Sequence, residues 1–198
     1  MRDTDTTVII AAHPARARSG LLSRALTSVQ SQTFLPAAVV IAMDLEREGA
    51  AITRHRALQG VQTPWTAVID SDDVWMPNHL QVLMDTARET GADFVYSGFE
   101  TLPPGNRIFP ETHFTNDFDP ANPIETTVTV LVRTRIAQAV GYHALDRGQT
   151  NSGEDFRFML GCLEFGARIV CAKRKTWYYD IGTKGQNTSG LPGRGDAR

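Results

Sequence analysis

Short apolar runs alternate with amphipathic patterns through the first half of the chain, and this alternation restricts the fold more than any other feature. Residues 7–12, 37–43 and 65–69 have the length and composition of buried strands. Between them, apolar residues recur at the spacing of one helix face over 21–30, and a second helix is predicted over 50–59. Strands that alternate with helices form βαβ units, so the sequence predicts an α/β fold with a mainly parallel central sheet.

The second half of the chain carries less regular signals. Pro77 is placed as the first residue of a helix that runs to Thr90, because its missing N–H costs nothing there, and Gly91 ends that helix as a left-handed cap. Residues 102–123 are rich in Pro, Asn and Asp without periodicity, which predicts a long surface loop, a candidate for a mobile cover over a substrate site. Further strands are predicted over 93–96, 127–132, 168–171 and 176–179, and further helices over 135–140 and 155–165.

Length and charge exclude several classes of protein. A chain of 198 residues fits one domain, which can bury roughly 70% of its unfolded surface. The net charge of -2 lacks the basic excess that duplex nucleic acid or a membrane surface usually requires. Cys162 and Cys171 lack metal-type spacing and are expected to be buried in a reducing compartment. The N-terminus lacks the pattern of a signal peptide, and no apolar run approaches the ~18 residues of a membrane span, so we expect a soluble cytoplasmic protein.

Three carboxylates follow the third predicted strand, where VIDSDDVW ends its apolar run in Asp70, Asp72 and Asp73. Crowded carboxylates repel one another and lose solvation, so a cation is expected beside them, and a divalent metal is the obvious candidate. In open α/β sheets the ligand crevice lies beyond the carboxyl ends of the strands, so a metal here could serve a phosphate-bearing substrate. The alternative is an Asp-rich turn that caps the next helix.

Two further acidic positions have the right placement to join this cluster. Asp44 ends the second strand as Asp70 ends the third, which suggests a shared ligand such as a nucleotide whose base N–H reaches Asp44. The alternative is that Asp44 merely opens the polar loop DLEREG. Glu154 and Asp155 precede an apolar helix, where they either cap the helix electrostatically or supply a carboxylate that takes a nucleophile's proton.

The order of these segments resembles that of a known enzyme family. The segments VIIAAHPARARSGLLSRALTSVQSQTFLPAAVVIAMD, VIDSDDVWMPNHL, GADFVYSGFE and SGEDFRFMLGCLEFGARIV resemble the family 2 glycosyltransferases of the GT-A fold in order and approximate spacing, over about residues 8–189. The resemblance implies a single-domain, Rossmann-related sandwich with helices on both sides of the sheet. It divides the chain into a nucleotide-sugar-binding half, about 1–98, an acceptor-binding and catalytic-base half, about 99–190, and a flexible tail, 190–198.

The resemblance also assigns roles to individual residues. Residues implied to bind a UDP-type nucleotide sugar are Ala12, His13, Asp44, Arg54, Arg56, Asp70 and Ser71. Ala12, His13 and Asp44 would border the uracil, and either Arg54 or Arg56 would lie near the nucleotide. Asp72 would bind Mn²⁺ or Mg²⁺ directly with Asp70 beside it, and oxygen ligands suit these cations. Asp155 would be the catalytic base, with Glu154 next to it, in an inverting transfer of one sugar to an acceptor hydroxyl.

The chain departs from the family pattern in several places. Many relatives have a His after the last strand that helps to hold the metal, whereas residues 177–190 contain none. His13 stands where relatives often have a small or polar residue, and it is also interpretable as a plain loop histidine. The Gln-x-x-Arg-Trp motif of processive synthases is absent, so transfer of a single sugar to a soluble acceptor is favoured over polymer extrusion.

Other residues and other functions stay open at this level. The arginines Arg16, Arg18 and Arg24 form either a diphosphate contact or an ordinary solvated face. Trp65 is expected to pack in the core, whereas Trp75 and Trp177 are candidates for sugar contact. Alternative functions are a nucleotidyltransferase, a nucleotide-sugar-binding module with decayed catalysis and, as a subtype, a DNA-modifying transferase. The acceptor is a glycan, a protein, a small molecule or a modified nucleic acid, and the oligomeric state is open.

Overall fold

The computed structural model describes residues 5–105, 109–143 and 153–182. Its strands are β1 Thr6–Ala12, β2 Ala38–Met43, β3 Trp65–Asp70, β4 Val74–Trp75, β5 Phe94–Leu102, β6 Val130–Arg133 and β7 Ile169–Asp180. Its helices are α1 Pro14–Arg18, α2 Leu21–Gln30, α3 Ala50–Gln59, α4 His79–Thr90, α5 Thr112–Thr115, α6 Thr134–Val140 and α7 Glu154–Glu164. These elements form one α/β unit. The tail predicted over 190–198 lies outside the described residues.

All seven strands form one sheet in the order β2-β1-β3-β6-β5-β7-β4. The pairs β1–β2, β1–β3 and β5–β7 are parallel, and the remaining three are antiparallel. The α/β class is therefore confirmed, but the sheet is only half parallel. The physical reason lies after β5, where the chain reaches the start of β6 without a full crossover helix and runs back antiparallel to its neighbours.

Two hydrophobic cores cover the two faces of this sheet. Side chains alternate across a strand, so Ile9 of β1 packs with α3, α6 and α7, whereas Val8 and Ile10 pack with α2 and α4. Every residue of β1 is buried, as expected for a strand covered on both faces. The sheet is thus held between two helical layers, with its carboxyl edge left for the loops that follow the strands.

Several element boundaries differ from the sequence prediction. Helices α2 and α3 have the predicted limits, and Gly91 is the predicted left-handed cap, with φ 69°. Helix α4, however, begins at His79 rather than at Pro77, because the Pro77 carbonyl accepts a hydrogen bond from the Thr33 amide (2.8 Å). The two strands predicted near the end are one strand, β7, kinked at Lys173, where φ is 54°. The short elements α1 and β4 were not predicted.

The segment predicted as a long surface loop is mostly exposed but is tethered by aromatic side chains. It contains α5, and Phe114 packs edge-on against Phe99 of β5, with ring centroids 5.2 Å apart. The ring centroid of Phe109 lies 6.1 Å from that of Phe99. Residues 106–108 lie outside the described part, so the prediction that this segment moves stays a prediction.

The tryptophans and cysteines are core residues. Trp65 is buried as predicted, and Trp75 and Trp177 are also buried and are register partners across β4 and β7, so neither offers an open face to a sugar. Cys162 and Cys171 are buried and unbonded, as expected. Among the described residues, we find no helix with the length and apolar character needed to cross a membrane.

Candidate active site

The carboxyl ends of three adjacent strands bring the predicted donor-binding residues to one edge of the sheet. In the parallel register Ala12 of β1 lies beside Met43 of β2, and Ala11 lies beside Asp70 of β3. Asp44 extends the same ladder, since its amide donates to the Ala12 carbonyl (2.8 Å). The prediction that Asp44 and Asp70 share one edge is therefore confirmed.

The three carboxylates after β3 form a compact cluster, called here the acid cluster. A tight turn, closed by a hydrogen bond from the Asp73 amide to the Asp70 carbonyl (3.2 Å), places oxygens of Asp70, Asp72 and Asp73 within 4.8 Å of one another. Asp72 and Asp73 are buried, at 4% and 1% exposure. The N-cap position of the next helix is Asn78, which lies five residues beyond Asp73, so the alternative that these acids cap the helix is wrong.

Arginines from distant segments face the acid cluster. Arg16 of α1 lies 3.1 Å from the Asp72 carboxylate, measured from Nη1 to Oδ2. Arg24 of α2 donates to the Asp72 backbone carbonyl (2.7 Å) and to the carboxylate of Asp180 at the end of β7. Arg18, the third arginine of that predicted patch, is exposed. The patch thus divides: two of its members belong to the site, and one belongs to the surface.

Asp180 ties the last strand to the same turn. Its amide donates to Oδ1 of Asp73 (3.0 Å), which fixes the end of β7 against the acid cluster. From the sequence, Arg16 and Arg24 were left open between a diphosphate contact and a solvated face, and Asp180 was not a candidate. The hydrogen bonds from Arg24 span 48 and 156 positions of the chain, so no local pattern could have signalled them.

Arg54 connects the acid cluster to the start of α7. Its side chain is buried and donates through Nη2 to Oδ1 of Asp70 (2.6 Å) and through Nη1 to the Glu154 carboxylate. Burial alone would lower the pKa of Arg54, but the charges of Asp70 and Glu154 outweigh that effect, so its pKa lies above the ordinary value. The two carboxylates are thereby held together by one permanently charged group.

Asp155 occupies a different environment from its neighbour Glu154. Its Oδ1 accepts a hydrogen bond from the adjacent Phe156 amide (3.0 Å), and its carboxylate forms no ion pair with a described residue. Burial raises the pKa of Asp155 to about 6, Arg54 opposes this shift, and the charge of Glu154 adds to it. A carboxylate with that pKa is ionised at neutral pH and still basic enough to accept a proton.

The remaining predicted residues surround the edge of the sheet. Both oxygens of Asp44 accept loop amides, from Glu48 (2.8 Å) and Gly49 (3.0 Å), so Asp44 does organise the polar loop that follows it. Arg56 binds that loop through Glu48, and Arg54 alone of the two predicted arginines reaches the acid cluster.

His13 accepts the Ala15 amide on Nδ1 (3.2 Å) and so caps α1. Ala12 is buried at the end of β1, and Ser71 is buried in the turn that carries the acid cluster. All three therefore lie beside the carboxyl edge, and their predicted contacts with a nucleotide stay a prediction.

The fold and the site together define an α/β enzyme class in which acidic side chains line the carboxyl edge of the sheet. The sequence model described as Glycosyl transferase family 2 matches residues 40–156, more than half of the chain, and the chain belongs to this family. The matched range contains Asp44, Arg54, the acid cluster and Asp155. Arg16, Arg24 and Asp180 lie outside it.

Individual relatives agree with this assignment. The chain is 32% identical over 57 residues to the putative teichuronic acid biosynthesis glycosyltransferase TuaG of Bacillus subtilis (strain 168), across 29% of this chain and 23% of TuaG. The crystal structure of S. aureus TarS 1-349 superposes with a TM-score of 0.72 at 17% identity, over 91% of this chain and 60% of TarS 1-349. The structure of TarS 1-349 in complex with UDP-GlcNAc also gives a TM-score of 0.72, at 17% identity, over 91% of this chain and 58% of that one.

The partial coverage and the low identity limit what can be concluded from these similarities. The chain spans less than two thirds of the length of TuaG and of the TarS structures. At 17% identity the TarS comparison establishes the GT-A fold of this chain, and the fold alone.

Proposed function

We propose that this chain is an inverting, metal-dependent glycosyltransferase that moves one sugar from a UDP-type nucleotide sugar to an acceptor hydroxyl. The observation that carries the proposal is the ion-pair bridge of Arg54, which joins Asp70 of the acid cluster to Glu154, the residue before Asp155. Through Arg54, the acid cluster that would bind the diphosphate is thus connected to the helix start that carries Asp155, the proposed proton acceptor.

The nucleotide would bind at the carboxyl edge of the sheet, beside Ala12, His13 and Asp44. Each carboxylate oxygen has two lone pairs, so the amides of Glu48 and Gly49 leave Asp44 able to accept a base N–H as well. TarS, whose fold this chain shares, has been crystallised with UDP and with UDP-GlcNAc. We therefore propose a UDP-sugar as the donor.

The acid cluster fits a hard divalent cation. Its side chains offer oxygen ligands only, as Mg²⁺ and Mn²⁺ prefer, and Asp72 with Asp70 would hold the ion. Among the described residues, three arginines, Arg16, Arg24 and Arg54, contact carboxylates around this site, namely those of Asp70, Asp72, Glu154 and Asp180. When bound, the ion would neutralise charge that grows on the departing diphosphate.

Asp155 is the better candidate for the base of the two adjacent acids. Arg54 engages the Glu154 carboxylate in an ion pair, whereas burial raises the pKa of Asp155. The acceptor oxygen would form its bond to the anomeric carbon as the bond to the diphosphate breaks, and Asp155 would take the hydroxyl proton. Attack from the face opposite the leaving group inverts the configuration.

The acceptor would bind beside the loop predicted to cover the site. A cavity of about 440 Å³ is lined by residues of β5, β7 and α5, among them Phe99, Phe114 and Arg174. Its wall includes Thr101, which precedes Leu102, and Leu102 pairs with Asp180 of the site. If the acceptor uses this cavity, Arg174→Ala raises the KM for acceptor and leaves UDP-sugar hydrolysis unchanged.

The direct test combines binding with turnover. Calorimetry with UDP, with and without Mn²⁺, is followed by UDP release from a panel of UDP-sugars and by mass spectrometry of candidate acceptors. The proposal predicts Mn²⁺-dependent UDP binding, release of UDP and an acceptor mass gain of one sugar. Asp155→Asn should bind UDP as the wild type does and lose at least about 100-fold in turnover. Binding without turnover by the wild type would instead indicate a decayed module.

A further inference from the structure

The ion pair between Arg16 and Asp72 differs from the surface pairs of this protein. Its two side chains are 13% and 6% exposed, against 49% and 38% for the pair of Arg56 with Glu48. Burying an ion pair costs desolvation that its attraction often only balances, so stability alone is a weak reason for it. Helix α1, which carries Arg16, has no buried residue of its own. The pair therefore lies at the site without anchoring the core.

Arg16 contacts an atom that a divalent cation would need. Its Nη1 lies 3.1 Å from Oδ2 of Asp72, the residue that we propose as the direct metal ligand. Two cations repel one another, so a metal on this carboxylate and the guanidinium beside it compete. Arg24 differs, because its hydrogen bonds go to the Asp72 backbone carbonyl and to the Asp180 carboxylate.

We propose that Arg16 is an exchangeable counter-ion of Asp72 and a diphosphate ligand of the loaded site. Without donor it neutralises Asp72; when Asp72 binds the divalent cation, the guanidinium turns to the diphosphate oxygens, for which its planar donors are well suited. This inference rests on the metal-dependent function proposed above. Because both ligands act on one arginine, the cation and UDP bind cooperatively.

Replacement of Arg16 by Gln should change the affinities for Mn²⁺ and for UDP in opposite directions. Arg16→Gln removes a competitor of the cation, so Mn²⁺ alone binds about tenfold more tightly, within the usual range of such couplings. The same change removes a diphosphate ligand, so UDP at saturating Mn²⁺ binds at least about fivefold more weakly. A merely structural role for Arg16 would weaken both. Arg16→Lys keeps the competing charge but loses the forked donors, so it should weaken UDP binding and leave Mn²⁺ affinity within about twofold of the wild type.

The test measures Mn²⁺ binding by the electron paramagnetic resonance of free Mn²⁺, with and without UDP, and UDP binding by calorimetry. Arg18→Gln, an equal charge change at an exposed position of the same helix, is the control and should change neither affinity. Tighter Mn²⁺ binding with weaker UDP binding in Arg16→Gln alone supports the exchange. Mn²⁺ affinity that Arg16→Gln leaves unchanged or weakens overturns the exchange and leaves the metal-dependent function standing. No Mn²⁺ uptake by the wild type, even with UDP, overturns both.

Discussion

Two adjacent acids at the start of α7 have different chemistry because of their surroundings. Glu154 shares the buried guanidinium of Arg54, whereas Asp155 forms no ion pair within the described part of the chain, and burial raises its pKa. Their sequence, an acidic pair at the start of a helix, is compatible with a favourable interaction with the helix dipole and with a proton acceptor, and only the family resemblance separates the two acids. The division of roles depends on Arg54, which lies 100 positions away from Glu154.

The pKa of Asp155 predicts a pH dependence of transfer. Because burial raises that pKa to about 6 and a base must be ionised, kcat/KM should rise with pH through about 6 and level off above pH 7. Since kcat/KM reports the free enzyme, initial rates at low donor concentration from pH 5 to 8 provide the measurement. A profile without a rising limb in this range would contradict the assignment of Asp155 as the base.

Replacement of Arg54 tests the bridge between the acid cluster and α7. Arg54→Met leaves Asp70 and Glu154 partly buried without their shared cation, and we expect a loss of about 3 kcal/mol in the free energy of unfolding. Because Arg54 also holds down the pKa of Asp155, the rising limb of kcat/KM should move above pH 6.

Arg56→Met is the matched control for this change. Arg56 is half exposed, and surface pairs contribute about 0 to 1 kcal/mol. The free energy of unfolding and the pH at which kcat/KM rises should therefore stay close to the wild-type values. Urea unfolding and the pH profile give the two measurements. Equal losses in the two variants would mean that the bridge has no special role.

At the scale of single elements, the sequence predicted the limits of those helices and strands that local sequence patterns determine. Helices α2 and α3 were predicted with their full limits because apolar periodicity and nearby glycines are local signals. Strand β7 was predicted as two pieces because the basic run around Lys173 interrupts its apolar pattern, although pairing with β5 resumes at Lys175 after a register shift. The acid cluster was found because its residues are contiguous, whereas Arg16 and Arg24 reach it only through the tertiary fold.

Gly153 allows the first turn of α7 to present Asp155. A Cβ at Gly153 would overlap Oδ1 of Asp155, while the backbone there, with φ -62°, accepts any residue. Gly153→Ala should therefore displace the carboxylate and reduce kcat roughly 10- to 100-fold, with little change in UDP affinity. Gly60→Ala is the control, because a Cβ at Gly60 meets its nearest atom at 3.9 Å. Steady-state kinetics with UDP calorimetry measure both; unchanged kcat in Gly153→Ala would show that Asp155 tolerates the shift.

At the scale of the whole molecule, the two halves into which the family resemblance divides the chain share one sheet. Strand β6, from the second half, lies between β3 and β5, which begin in the first. The parallel partner of β5 is β7, also from the second half. No local sequence pattern indicates this interleaving, because strand order depends on pairings between distant segments.

This interleaving predicts that the chain unfolds as one unit. Without β6 and β7, residues 1–98 would leave the edge of β3 unpaired and Trp75 without its partner Trp177, so this fragment should not fold cooperatively. For the 198-residue chain, urea transitions followed by far-UV circular dichroism and by tryptophan fluorescence should coincide. Fluorescence reports Trp65, Trp75 and Trp177, which lie in β3, β4 and β7 and so sample strands from both halves. Two separated transitions, or a folded 1–98 fragment, would mean that the donor-binding half has a core of its own, and the connection from Asp70 through Arg54 to Glu154 would then join two independent units.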